Sequence, residues 1–149
     1  MVVGDGWAEV RVLKRIRGEI HHVEINVSNL KRSCNFYQKF LGWLGYHRTL
    51  DDKEVVGWRH GNHSVFLVQS GSRFGRKGFH RKNVGLNHLA FWVSSKQDID
   101  DLYRKHLPRW RVRVLYGGPK EYPEYSKGYY ALYFEDPDRI KLEAVHIPQ

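Results

Sequence analysis

The feature that most restricts this chain is that it is written twice. I20HHVEINVSN and L86NHLAFWVSS share a strand-to-helix grammar, and His22 falls on His88 at an offset of 66 residues (88 minus 22). At that offset Val27 meets Val93, Ser28 meets Ser94, Tyr37 meets Tyr103, Lys39 meets Lys105 and Leu41 meets Leu107. Self-similarity over one supersecondary unit signals duplicated architecture, so each half has to be a module that buries its apolar face with help from the other. With 149 residues the chain suffices for one sizeable core. One domain built from two modules is the expectation.

Within each module the order of elements is readable. Residues 20–27 alternate as a strand, with Val23, Ile25 and Val27 on one face and His22, Glu24 and Asn26 on the other. Ser28 and Asn29 are placed to cap a helix with the stripe Leu30, Cys34, Tyr37 and Leu41, and Gly42 is placed to end it. In the second half Ser94 and Gln97 spell a capping box, and the stripe Ile99, Leu102, Tyr103 and His106 or Leu107 runs to Pro108. Three antiparallel strands are expected after each helix: 46–50, 55–59 and 64–69 in the first half, 112–116, 129–134 and 140–146 in the second. H60GN62 and D136PDR139 supply turns, and G117GPKEYPEYSKG is a long loop of the kind that borders sites. The fold class expected is α+β: two βαβββ modules, 19–70 and 85–147, forming an open, curved mixed sheet within a domain over 19–147, behind an N-terminal extension over 1–18.

Charge and composition remove several function classes. The net charge of +9 invites a phosphate partner, but Lys and Arg are scattered apart from R73FGRKGFHRK, where no stacking ladder or base-reading helix follows. No nucleic-acid partner is expected, and that segment reads as a solvated linker. No apolar run approaches the roughly eighteen residues that span a bilayer, and the start lacks the pattern of a secretory signal. No membrane partner is expected, and the location expected is cytoplasmic. A single cysteine, Cys34, leaves no internal disulfide framework and fits a small core residue.

The two histidines sit on the strand faces that a helix does not cover. Glu143, between Leu142 and Ala144 in the last strand, is out of place in a buried strand unless it is paired or coordinating. Two His and one carboxylate with open positions suit a divalent first-row metal better than a closed structural zinc. His21 points away from His22, His146 shares a face with Leu142 and Ala144, His60 and His63 flank a turn, and Trp92 and Asn26 belong to the cleft-side faces.

These residues resemble a known family. I20HHVEINVSNLKRSCNFYQKFLG, L86NHLAFWVSS and Y129YALYFEDPDRIKLEAV look like the vicinal oxygen chelate superfamily, also called the glyoxalase, bleomycin-resistance and dioxygenase superfamily, over about residues 19–147. The resemblance implies two βαβββ modules around a metal held by a His on the first strand of each and a Glu on the last, which carries over to His22, His88 and Glu143. Phe66 stands where glyoxalase I enzymes have a glutamate, Tyr133 matches a substrate-contacting tyrosine of fosfomycin-resistance members, and the usual D-P-D-G turn reads D-P-D-Arg139. Members that only sequester bleomycin-type drugs generally lack the metal ligands, so an enzyme is expected.

The function expected is a metal-dependent lyase, isomerase or transferase acting on a small oxygen-rich substrate by bidentate chelation, with Fe, Mn, Ni, Zn or Co as the ion. Glu24 is the candidate general base and Tyr133 a hydrogen-bond donor to the substrate. An Fe(II) extradiol-type dioxygenase and a non-catalytic antibiotic-type binding protein are the alternatives. A homodimer is the expected assembly, and the three ligands have to meet either within one chain or across its interface.

Overall fold

The computed structural model describes residues 18–148. Apart from Gly18, the extension expected over 1–18 lies outside them. The order is β1 (His22–Val27), α1 (Leu30–Trp43), β2 (His47–Asp51), β3 (Val55–His60), β4 (His63–Gln69) and a short helix α2 (Ser72–Gly75). The second half follows with β5 (His88–Trp92), α3 (Lys96–Asp101), α4 (Leu107–Trp110), β6 (Lys120–Glu121), β7 (Tyr130–Glu135) and β8 (Lys141–His146). The strands form two four-stranded mixed sheets, β1-β4-β3-β2 and β5-β8-β7-β6, with β1 parallel to β4 and β5 parallel to β8. This is the duplicated α+β architecture that the repeat requires. No helix among the described residues is long and apolar enough to cross a membrane.

Local chemistry explains where the elements end, and it corrects three expectations. The cap of α1 is Asn29, whose side chain accepts from the Arg32 amide. The helix passes through Gly42 and stops at Gly45, whose φ of +87° needs a residue without a Cβ. The second capping box belongs to Ser95 and Asp98, not to Ser94 and Gln97: Ser95 Oγ accepts from the Asp98 amide at 3.1 Å and donates to its carboxylate at 2.7 Å. Pro108 does not end the helix either. A π-helical turn over Leu102–His106 joins α3 to α4, and this wider turn carries the chain past a proline that has no N–H for the Arg104 carbonyl. The end comes at Arg111, in the left-handed region at φ 57°.

The strand expected over 112–116 is reduced to an isolated bridge between Val114 and Phe134. Positive φ at Tyr116, Gly117 and Gly118 then turns the chain away from the ladder, and β6 forms farther along. The connector also departs from expectation: Arg81 reaches back to the buried Glu135 at 2.6 Å, so the basic linker is anchored at that point.

A shared core joins the modules. Val23, Ile25 and Val27 of the first sheet and Leu89, Phe91 and Val93 of the second all face it. Phe40 of α1 sits between them, its ring 5.4 Å from Phe91 and 5.1 Å from Phe134. Beside it the buried Tyr37 hydroxyl donates to Asp136 at 3.0 Å. Burial pushes the Asp136 carboxyl up to about 6, against the pull of the hydrogen bonds it accepts from Ile140, Tyr37 and Asp138. Cys34 packs against the same core, and burial raises its thiol above the usual range. Because the helix-bearing faces look inward onto one core, the two histidine-bearing faces look outward.

Arg139 makes a stability test of the hairpin turn. It holds a φ of 69° where a side chain is strained, and its guanidinium, more than half exposed, reaches Glu135 only at 3.8 Å. Arg139→Gly is therefore expected to stabilise the fold by about 0.5–1 kcal/mol, less the extra freedom glycine gives the unfolded chain. A rise in the midpoint of urea denaturation checks this.

Candidate functional site

The outward face of the second sheet carries a built polar site. Parallel register places His88 beside Lys141 and Ala90 beside Glu143, and antiparallel register places Tyr133 across from Glu143. Period-two alternation brings His88, Glu143 and Tyr133 to one surface for that reason. The loop after Tyr116 folds over this face, where Leu115, Tyr122, Tyr133 and Val145 form a second apolar cluster. What stays open is a cavity of about 610 Å³ bordered by His88, Glu143, Lys141, Lys120 and several of these tyrosines.

Glu143 is 1% exposed, and its two oxygens have separate partners. Oε1 accepts from the Tyr129 hydroxyl at 2.5 Å, and Oε2 lies 3.0 Å from His88 Nε2. His88 Nδ1 is 2.7 Å from the side-chain oxygen of Asn87, which can only accept, so Nδ1 carries the hydrogen there. A neutral imidazole so arranged turns the lone pair of Nε2 toward a carboxylate oxygen. Two acceptors at that distance call for a cation between them or beside them, either a proton on the imidazole or a metal ion. The donor set fits a divalent metal: an imidazole of fixed tautomer and a carboxylate steadied by a phenol.

The tyrosines around Glu143 are held in their neutral form. Burial, and after it the Glu143 carboxylate, holds the Tyr133 phenol far above the ordinary range. The same causes push Tyr129 up to about 12. Both are hydrogen-bond donors at any ordinary pH.

The two remaining candidates lie elsewhere. His22 and Glu24 are exposed on the outward face of the first sheet, in register with Ser64 and Phe66. The His22 ring meets Phe66 edge-on at 5.7 Å. The convergence of His22 and His88 expected from the sequence does not occur within one chain: among the described residues, no three His, Cys, Asp or Glu side chains gather to hold a metal ion. The reason is the shared core, which turns the histidine-bearing faces away from each other. His21 differs from expectation too. It precedes β1, and its Nδ1 lies 2.9 Å from that of His22. His60, His63 and His146 each place Nδ1 within hydrogen-bonding distance of a main-chain carbonyl, of Gly45, Ile20 and Val93 respectively, which gives them structural roles.

Sequence reasoning passed over Asn87, Tyr129 and Lys141. A signal for the last two was present, since 129 and 133, like 141 and 143, have the same parity on adjacent strands. Asn87 gave no signal, because only the folded chain shows its amide against the imidazole.

Comparison with known proteins agrees with the architecture. The family model described as Glyoxalase/Bleomycin resistance protein/Dioxygenase superfamily matches residues 19–144. The chain is 38% identical over 126 residues to the uncharacterized protein YqjT of Bacillus subtilis (strain 168), covering 85% of this chain and 97% of that one. It is similar to the crystal structure of a glyoxalase-type protein from Bacillus halodurans, with a TM-score of 0.79 and 38% identity over 87% of this chain and 96% of that one. A glyoxylase/bleomycin resistance protein/dioxygenase domain from Frankia sp. EAN1pec aligns with a TM-score of 0.65 and 26% identity, over 85% and 95% of the two chains. With its paired modules and a family match across most of its length, the chain belongs to the glyoxalase/bleomycin resistance protein/dioxygenase superfamily.

Proposed function

We propose that the protein is a divalent-metal-dependent enzyme of the lyase, isomerase or transferase kind, acting on a small oxygen-rich substrate, and that it works as a homodimer. The observation that carries this reading is the approach of His88 Nε2 to Glu143 Oε2 at 3.0 Å on the wall of the cavity. His88 and Glu143 are two ligands of the proposed set. The third is His22 of a second copy, because the outward histidine of the first sheet has no route to this cavity within its own chain. A two-fold dimer that lays the first sheet of each chain over the second sheet of the other makes two equal sites. Two His and one carboxylate suit Fe, Mn, Co, Ni or an open zinc site.

When bound, such an ion supplies Lewis acidity to two neighbouring substrate oxygens. The chain's own residues do the rest. Asn87 keeps the His88 proton on Nδ1, and Tyr129 orients the Glu143 carboxylate. Tyr133, which stays protonated, donates a hydrogen bond to a substrate oxygen on which charge develops. Glu24 shares a strand face with His22, enters the same cavity from the second copy, and takes the substrate proton as general base. The tyrosine wall favours a flat ring as a second reading, a ring-cleaving dioxygenase, and oxygen uptake with a catechol after anaerobic iron loading separates the two.

Elemental analysis of protein purified without chelator tests the proposal. One metal ion per chain is expected in the wild type. Removing a direct ligand should cost more than the roughly 10–100-fold typical of outer-shell partners, so Glu143→Gln, His88→Ala and His22→Ala should each come out essentially metal-free. A wild-type protein that binds no divalent ion under any loading condition sinks the reading.

A further inference from the structure

Lys141 is the buried cation of the cavity, and no carboxylate among the described residues pairs with it. It is 9% exposed on the outward face of β8, two residues before Glu143. Its ammonium lies 5.3 Å from the Tyr133 ring centre and 5.8 Å from that of Tyr116. No ion pair or side-chain hydrogen bond among the described residues includes it. The neighbouring carboxylates are already engaged: Glu143 by Tyr129 and His88, and Glu135, the register partner of Lys141, by Arg81 at 2.6 Å with Arg113 and Arg139 at 3.7 and 3.8 Å. Two tyrosine faces flank an ammonium that borders an open cavity, which leaves its charge free to meet an anion entering from solution.

We infer that Lys141 is a specificity anchor for an anionic substrate: a small organic acid whose carboxylate, phosphonate or phosphate group meets this ammonium while its body lies against the tyrosines. A cavity of about 610 Å³ has room for a ligand of that size. A second cation borders the cavity, since the exposed Lys120 places its ammonium 5.1 Å from the Tyr122 ring centre. The net charge of +9 draws anions toward the molecule as a whole. The inference rests on reading this cavity as the substrate site, but it does not depend on the metal.

Benzoate, phenylphosphonate and neutral benzamide serve as probes on the full chain, with binding read from tyrosine fluorescence or amide chemical shifts, in the presence and absence of EDTA. Both anions should bind the wild type at least about tenfold more tightly than benzamide, as a charge-assisted hydrogen bond requires. Lys141→Met, which keeps the stem and removes the charge, should lose about tenfold or more for the anions and nothing for benzamide, while Lys141→Arg stays within a few-fold of wild type. If Lys141→Met does not fold, reductive methylation of the wild type decides: benzoate should protect Lys141 and leave the exposed Lys82 reactive. Equal binding of benzoate and benzamide, unchanged anion affinity in Lys141→Met, absence of protection, or no anion binding at all overturns the anchor. The Lys141 effect persisting in EDTA in a protein that never takes up metal would sink the metal centre alone, and a metal-loaded protein indifferent to Lys141→Met would sink the anchor alone.

Discussion

Two crippled chains are expected to repair each other: His22→Ala and Glu143→Ala proteins, each without bound metal, should recover metal when mixed, partly unfolded and allowed to reassociate. The arithmetic follows from the outward placement of the two half-sites. If a site is made from the first sheet of one copy and the second sheet of its partner, a mixed dimer has one site with both lesions and one with none. Random reassociation makes half of the dimers mixed, so about a quarter of the wild-type metal content returns. A site within one chain would return nothing, since every chain in the mixture lacks a ligand. Metal per chain, measured on the re-formed dimer, separates these outcomes, and sedimentation of the unmixed wild type checks that a dimer exists. Glu24→Gln should leave metal content intact and lower turnover once a substrate is known, because its proposed part is proton transfer and not coordination.

Phe40→Ala is expected to destabilise the protein by about 3–5 kcal/mol, a large share of the roughly 5–15 kcal/mol that holds a domain of this size together. The ring is fully buried and packs against Phe36 of its own helix and Phe91 and Phe134 of the other module. Its loss opens a cavity where the modules join, and no neighbour is free to fill it, because strands on both sides hold the lining in register. Leu102→Ala, on the second module's side of the same core, should cost about 2–5 kcal/mol. Because the modules share one core, each variant should melt in one step at a lowered midpoint in urea, and two probes of the unfolding should coincide.

Much of the fold was legible before any coordinates. The duplication, the first helix, and β1, β3, β4, β7 and β8 stand within a residue or two of where periodicity puts them, because alternation of period two and stripes of period 3.6 are local properties of the chain. The errors also have local causes. Gly42 and Pro108 look like helix ends, but Gly42 is tolerated inside α1, and the π-helical turn carries the second helix past Pro108. The strand expected at 112–116 has suitable β-branched residues but fails as a ladder, since Tyr116 and the glycines after it turn the chain aside.

For the site, the sequence by itself determined the chemical types and their strand faces: His22 and Glu24 on one outward face, His88, Tyr133 and Glu143 on another, together with a carboxylate too buried to be idle. Tertiary structure alone decided which of these meet. Side-chain direction along a strand is set by the backbone pleat and can be read from spacing, whereas the relative aim of two sheets is set by the core between them. Here that core joins both helix-bearing faces through Phe40, so His88 and Glu143 share a cavity while His22 points away from it.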